Sequence, residues 1–448
     1  MSTIYICIRR CLKRRLSLLA CILLVGFVSV GAQPGRVDYM DRLVFSLQMT
    51  SDRQASCSLP LLTLGGHDQL TVAFDYLDAQ ARRLTYSIVH LDDEGQPTTE
   101  LFDNEYVRTT VEEPLFSHSE PSVYTSVAYQ HYTLTLPNTD VQPLLSGNYR
   151  LTVTDITDDE PRPLLVACFG VVEPLAVVQV AASADTDIDR HDRHQQVSVQ
   201  TRFYDTPIVN PQQEIRLTVL QNGRYDNAVR RPQPTSYDGR TLLWEHSRDL
   251  IFAGGSEYRR FEMLSPEYPG KHGERVWREG LFYHLALQPD EPCRNYIFDE
   301  DHNGASLIRT TSSPYPDTEA DYSTVHFRLQ TFVRPTGHFY LIGRWAQPAF
   351  ASRYCLQPLP SGDGYELALP MKMGYYEYQY AYLDDSQQAA LAFAPDAEEI
   401  PIPPRGNTAL MEGDFYQTTN DYTALLYYRP LGRRYWRLVG VGQTDFKP

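Results

Sequence analysis

Residues 69–92 read QLTVAFDYLDAQARRLTYSIVHLD, which is two runs of alternating apolar and polar residues joined by a polar turn. Alternation with a period of two puts the apolar side chains on one face, as in a half-buried β-strand. Similar runs follow at short spacing, namely HYTLTLP (131–137), GNYRLTVTDI (147–156) and LLVACFGVV (164–172). The sequence therefore predicts an immunoglobulin-like β-sandwich over residues 37–172, which closes at Pro174 because proline cannot donate a hydrogen bond to a neighbouring strand.

Two further groups of alternating runs continue to the C-terminus. One extends from QVSVQTRF (196–203) to LFYHLALQPD (281–290) and predicts a second sandwich over residues 173–316. The other extends from STVHFRLQ (323–330) to RYWRLVGV (434–441) and predicts a third sandwich over residues 317–448. The polar stretch 183–196 is interpreted as a solvated loop or linker, and the proline-rich stretch 389–414 as an extended loop. The predicted fold class is all-β, with three consecutive immunoglobulin-like β-sandwich domains and little helix.

The first 32 residues have the layout of a secretory signal peptide. A basic segment that contains Arg14 and Arg15 precedes an apolar stretch, Leu16 to Val30, and small residues end at Ala32. This layout predicts cleavage after Ala32 and export. Two alternatives stay open: a lipoprotein acylated at Cys21, and a retained anchor, for which the apolar stretch is short of the about 20 residues that span a bilayer.

The composition argues against nucleic acid and anionic lipid as partners. Removal of the predicted signal peptide takes away five positive charges and moves the formal net charge from −16 to −21. A strongly acidic chain repels phosphate groups. No later stretch is apolar enough to span a membrane as a helix.

Four cysteines follow the predicted cleavage site: Cys57, Cys168, Cys293 and Cys355. They are far apart and form no CxxC pair, which argues against metal binding by cysteine. In an oxidising compartment Cys57 and Cys168 could form a disulfide within the first predicted domain. Buried free thiols are the alternative, and the sequence does not decide between them.

A calcium site is the first candidate for bound metal. Asp299, Asp301, Asn303 and Gly304 occupy the positions that begin a calcium-binding loop. The twelfth position is Thr310, which cannot supply two carboxylate oxygens. Asn-Gly is also a strong hairpin signal, because both residues tolerate positive φ. We therefore predict a turn between two strands for Asp299–Gly304, with calcium binding as the alternative.

Other candidate sites are weaker. Zinc ligands are available in DIDRHDRH (187–194), through His191, His194 and the neighbouring aspartates, but interleaved arginines would repel a cation. The sequence contains no G-x-S-x-G elbow, phosphate-binding glycine loop or HExxH helix. We therefore predict no catalytic, cofactor-binding or metal residues and no enzymatic activity.

Aromatic residues offer one further possibility, a platform on which sugars stack. The tyrosines of GYYEYQYAYL (374–383) alternate so that Tyr376, Tyr378, Tyr380 and Tyr382 share one face. Packing in a sandwich core is the preferred interpretation, and an exposed sugar platform is the alternative. The same two interpretations, core packing or a sugar platform, apply to the four tryptophans, which are Trp244, Trp277, Trp345 and Trp436.

Five ordered strings carry a family resemblance over nearly all of the predicted mature chain. They are VLQNGRYDNAV (219–229), GGSEYRRFEM (254–263), YIFDEDHNG (296–304), PDTEADYSTVHFRL (316–329) and EGDFYQTTNDYTALLYYRPLGRRYWRLVGV (412–441). In this order they resemble the plug protein family of the type IX secretion system. The resemblance implies a periplasmic, non-enzymatic protein that associates with the outer-membrane translocon β-barrel of that system and closes its pore. The family's DxNG string corresponds to Asp301–Gly304 and supports the turn.

A second resemblance concerns the C-terminal domain. HFYLIGRW (338–345) and GYYEYQYAYL (374–383) resemble early-set sandwiches, a group that includes glycogen-binding modules. The acidic or amide residue that usually precedes the tryptophan is absent here, so sugar binding is not carried over. The alternative function remains an exported glycan-binding accessory protein, and contact residues for the translocon are unknown.

Overall fold

The computed structural model describes residues 34–53, 59–116, 118–388 and 404–448. The predicted signal peptide, Cys21, Cys57 and most of the proline-rich stretch lie outside these residues. The prediction of an all-β fold is confirmed, because 47% of the residues lie in strands and 7% in helices. No helix within the described residues is long and apolar enough to cross a membrane.

The strands are numbered in chain order. The N-terminal strands are β1 Val37–Met40, β2 Val44–Ser51, β3 Leu61–Thr63, β4 Leu70–Tyr76, β5 Leu84–Leu91, β6 Val107–Thr109, β7 His118–Pro121, β8 Gln130–Leu136, β9 Val141–Pro143, β10 Gly147–Asp155 and β11 Arg162–Val172. The middle strands are β12 Ala176–Ser183, β13 His194–Phe203, β14 Ile215–Gln221, β15 Val229–Arg230, β16 Ser236–Tyr237, β17 Thr241–Trp244, β18 Ile251–Ala253, β19 Arg259–Met263, β20 Gly273–Glu279, β21 Phe282–Leu287 and β22 Ser306–Ile308.

The last strands are β23 Tyr322–Gln330, β24 Gly337–Ile342, β25 Gln357–Pro358, β26 Gly364–Lys372, β27 Gly374–Asp384, β28 Asn420–Tyr428 and β29 Arg437–Phe446. Short helices are α1 Asp103–Tyr106, α2 Pro211–Glu214, α3 Pro316–Glu319, α4 Asp385–Gln388 and α5 Ala409–Glu412, and 3-10 turns occur at Arg248–Leu250 and Ser352–Tyr354. Each helix has four residues, too few to be stable without the packing around it.

The first core lies between two antiparallel layers of the N-terminal strands. One layer is β2-β4-β8-β7, and the other contains β5, β10 and β11. The alternating apolar residues of 69–92 point into this core: Leu70, Val72 and Phe74 from β4 meet Tyr86 and Ile88 from β5. The apolar face predicted for the opening stretch is therefore the face that is buried.

One nine-stranded sheet serves both the first and the second core. Its order is β15-β14-β28-β29-β11-β10-β5, with β1 and β3 paired to β11. The link between its halves is a parallel pairing of Val172 in β11 with Leu438 in β29. The second core lies between β14, β28 and β29 of this sheet and a second layer, β12-β13-β17-β16 with β18.

The third core lies between the sheet β20-β21-β23-β26-β25 and the sheet β19-β27-β22, in which β24 also pairs with β27. Strands cross the boundary predicted between 173–316 and 317–448 in both directions. Strands β19 to β22 belong to the third core, whereas β28 and β29 belong to the second. The two segments thus build two cores jointly instead of one core each, because alternation identifies a strand but not its partner.

Two local predictions need correction. The polar stretch 183–196 contains the loop between the paired strands β12 and β13 and the ends of both strands, so of the two interpretations the loop is correct and the linker between domains is wrong. The sequence NYIF (295–298) is not a strand, because Ile297 and Phe298 are exposed and no described strand pairs with this segment. The Asn-Gly turn therefore does not join two strands of a hairpin.

Candidate functional site

The first and third cores meet at a buried charge. The Lys372 ammonium donates to Asp75 Oδ2 at 2.7 Å, and the Tyr322 hydroxyl donates to the same oxygen at 2.7 Å. The other oxygen of Asp75 lies 2.7 Å from His131 Nδ1. Burial lowers the pKa of Lys372 and raises that of Tyr322. Asp75 belongs to the first core and Lys372 to the sheet of the third, so this cluster joins two cores.

Loops reinforce the same junction. Arg353 donates to the carbonyl oxygens of Asp41 at 2.8 Å and Val44 at 3.1 Å. Asp321, just before β23, accepts from the backbone N–H of Ser126 at 2.8 Å. Because these groups come from segments far apart in the chain, each hydrogen bond fixes the first core against the third.

The first and second cores are joined by ion pairs in addition to their shared sheet. Asp93 forms ion pairs with Arg216 and with Arg231, the latter at 3.2 Å. Glu173 accepts from Arg437 Nε at 2.9 Å at the point where β11 adjoins β29. The three cores therefore form one connected block within the described residues.

A cleft of about 900 Å³ opens where segments of the three cores converge. Its walls include residues 35–40, 42, 47–50 and 59–60 from the N-terminal segment, 222–226 after β14, and 342–353 around Trp345. Ser306, the first residue of β22, also lines it. No pattern in the sequence indicated this cleft, because its wall segments are brought together only by the packing of the cores.

The predicted turn at Asp299–Gly304 encloses a carboxylate of the protein itself. Asn303 and Gly304 have φ of 55° and 85°, the positive values predicted for Asn-Gly. The backbone N–H groups of His302, Gly304 and Ala305 donate to the buried Glu377 carboxylate at 2.9, 3.0 and 3.3 Å. A Cβ atom at position 304 would lie 2.7 Å from the ring of Tyr258, so only glycine fits.

The two aspartates of this turn also have partners in the protein. Asp299 forms ion pairs with Arg260 and Lys271, and Asp301 accepts from the backbone N–H of Tyr258. Burial raises the pKa of Asp301 to about 7. Consecutive N–H groups make a concave anion-binding site, the opposite of what a cation needs. No cluster of three metal-ligating side chains occurs in the described ranges.

The zinc candidates of the loop between β12 and β13 have separate partners. His194 Nδ1 lies 2.7 Å from Asp189, whereas the ring of His191 packs against Tyr416 at 5.1 Å. Asp187 lies 2.9 Å from His246. The structure thus directs the two histidines of the motif to different neighbours.

The tyrosine face of β27 is buried, as the preferred interpretation predicted. Tyr376, Tyr378 and Tyr380 are at most 4% exposed, and Tyr382 packs against the same core. Trp244 and Trp436 are buried as well, and Trp345 donates from Nε1 to the carbonyl oxygen of Glu377 at 2.8 Å. Trp277 is half-buried and stacks on His284, with a ring distance of 5.0 Å. An aromatic row over 376–382 is therefore not available to a sugar.

Comparison with known proteins agrees with this architecture. The family model "Type 9 secretion system plug protein 1st domain" matches residues 44–173, which contain most of the first core. The crystal structure of a hypothetical protein from Parabacteroides merdae ATCC 43184 is similar with a TM-score of 0.83 and 33% identity over 93% of this chain and 100% of that chain. This chain belongs to the type 9 secretion system plug protein family. No curated protein matches it.

Membership of the plug family indicates a role associated with type 9 secretion. The family and the all-β fold both favour a non-enzymatic role in the cell envelope. Neither the buried cluster at Asp75 nor the turn around Glu377 could be found from the sequence as sites, because each joins residues from distant segments.

Proposed function

We propose that this chain is an exported, non-enzymatic plug that occupies the periplasmic mouth of the outer-membrane translocon barrel of the type 9 secretion system. In this role it closes the pore when no substrate is in transit. The observation that carries the proposal is the match of residues 44–173 to the first domain of plug proteins.

The connected block of three cores supports this role physically. A pore wide enough for folded proteins leaks unless a bulky body occludes it. The buried pair of Lys372 and Asp75 and the ion pairs of Asp93 hold the cores together, so the block resists being drawn apart. A stopper that must leave the pore also needs a moderate, partly polar interface. The glycan-binding alternative loses its main support, because the tyrosines of β27 are buried.

Purification of the tagged protein from its native cells in mild detergent, followed by mass spectrometry, tests the proposal. Recovery of the large translocon barrel is the expected result. Deletion of the protein should then make the outer membrane leaky to large solutes. Recovery of polysaccharide-uptake proteins alone, or an intact permeability barrier after deletion, would contradict the proposal.

A further inference from the structure

The cleft between the three cores has a charge opposite to that of the chain. Five arginines line it against two aspartates, Asp38 and Asp226, although the whole chain has a net charge of −16. The arginines are Arg36, Arg42, Arg224, Arg344 and Arg353. Two of them are neutralised within the cleft, because Arg36 pairs with Asp38 at 2.6 Å and Arg224 with Asp226 at 2.7 Å.

Two of the other three arginines, Arg42 and Arg353, give the cleft its positive charge. Arg353 donates to backbone carbonyl oxygens, which leave its charge uncompensated. Arg344 is neutralised by Asp421, which lies 2.6 Å away and outside the cleft wall, although its buried Nε has no hydrogen-bond partner. Arg42 lines the cleft and is exposed. Positive charge concentrated in a concave site raises the local concentration of anionic ligands.

The free edges of two strands, β2 and β22, also face the cleft. Within the described ranges β2 pairs only with β4, and residues 47–50 of its other edge line the cleft. Strand β22 is likewise the last strand of its sheet, and Ser306 lies in the same wall. An unpaired strand edge presents backbone N–H and C=O groups that an extended peptide can pair with.

A small cavity with a largely apolar lining adjoins the cleft beside these edges. Its volume is about 40 Å³, and it shares Met40, Leu47 and Trp345 with the wall of the cleft. Ile308, Leu369 and Met371 are among its other apolar residues, and Arg353 and Lys372 also line it. A cavity of this kind suits one apolar side chain of a bound strand. A simple anion such as phosphate has no apolar group that could occupy it.

We propose that the cleft binds an extended acidic segment of another protein. The segment adds as a strand to the free edge of β2, and its carboxylates pair with Arg42 and Arg353. The edge supplies affinity through main-chain hydrogen bonds, and the arginines select acidic over neutral sequences. This proposal does not depend on the role at the translocon barrel, because it concerns a cleft within the protein.

Fluorescence anisotropy with two labelled twelve-residue peptides tests the proposal on the full mature chain. One peptide alternates valine with glutamate, and the other has glutamine in place of every glutamate. The glutamate peptide should bind at least about tenfold more tightly at low salt and lose affinity as salt rises. Equal affinity for both peptides, no binding of the glutamate peptide, or displacement by equimolar inorganic phosphate would overturn the proposal.

Two variants locate the binding. Arg42→Glu changes an exposed side chain and should weaken binding of the glutamate peptide about tenfold or more. The matched control is Arg190→Glu, because Arg190 is exposed and does not line the cleft. Hydrogen exchange should slow at residues 47–50 when the peptide binds. An equal effect of both variants, or unchanged exchange at 47–50, would refute binding to the edge of β2.

Discussion

The ammonium group of Lys372 lies 2.7 Å from Oδ2 of Asp75, although 297 positions separate the two residues in the chain. Their side chains are 2% and 0% exposed. Because Asp75 lies on β4 and Lys372 ends β26, the pair is made only when the first and third cores are packed together. The junction between the cores is therefore specified by charge as well as by shape.

Removal of one member of this pair should destabilise the protein strongly. Lys372→Met leaves the Asp75 carboxylate buried without its cation, and we expect the free energy of unfolding to fall by about 3–5 kcal/mol. Urea unfolding followed by tryptophan fluorescence measures the change. The control is Arg328→Met, because the pair of Arg328 with Asp363 is partly exposed to solvent and should contribute less than about 1 kcal/mol. A loss for Lys372→Met no larger than that of the control would contradict the prediction.

The limits of sequence-based prediction are visible in the strands. In 69–92 one face is buried and the other partly exposed, so the alternation identified β4 and β5 and their buried face. In β28 all nine residues are buried, because the second core covers one face and Leu220, Tyr225 and Trp436 pack near the other. Nothing local in a strand of this kind shows that its partner is β14.

This exchange of strands leads to a prediction for fragments of the chain. Residues 34–173 contain the complete first core, so we expect this fragment to unfold cooperatively. Residues 317–448 lack β19 to β22 and leave β28 and β29 without β14, so this fragment should not fold alone. Circular dichroism and urea unfolding of the two purified fragments provide the measurement. A cooperative transition for 317–448 would support a self-contained third domain, as the sequence predicted, and would contradict this expectation.

The turn around Glu377 yields a third prediction. Glu377→Gln replaces one acceptor oxygen by an NH₂ group that faces the N–H donors of His302, Gly304 and Ala305. We expect a loss of about 2–3 kcal/mol in the free energy of unfolding, because buried donors lose their acceptor. Hydrogen exchange of residues 302–305 should become faster. The exposed Glu366→Gln on β26 is the control, and equal exchange rates in the two variants would contradict the prediction.

The same turn shows why the candidate site was only partly predictable. Asn303-Gly304 indicates positive φ by itself, because few other residues adopt that conformation without strain. The anion that the turn encloses comes from Glu377, which is 73 positions beyond Gly304 and stands within a row of tyrosines. The sequence could therefore predict the backbone of the turn but not its purpose, and Asp299 and Asp301 looked like metal ligands because their partners were unknown.

Protonation of the buried His90 should lower the free energy of unfolding in acid. Its buried ring bonds to Thr98 Oγ1 at 2.9 Å and the carbonyl oxygen of Ser146 at 3.2 Å, and burial lowers its pKa to about 4. In the unfolded chain His90 becomes protonated near pH 6.5, whereas in the folded chain it becomes protonated only near pH 4. The free energy of unfolding therefore falls as the pH drops from 6.5 to 4. The loss in the free energy of unfolding should reach about 3 kcal/mol near pH 4.

His90→Gln cannot take up this proton, so urea unfolding at several pH values should show the wild type losing stability relative to the variant. The control Thr98→Ala keeps the imidazole and should keep the loss, and a difference between wild type and His90→Gln that is constant with pH would contradict the prediction.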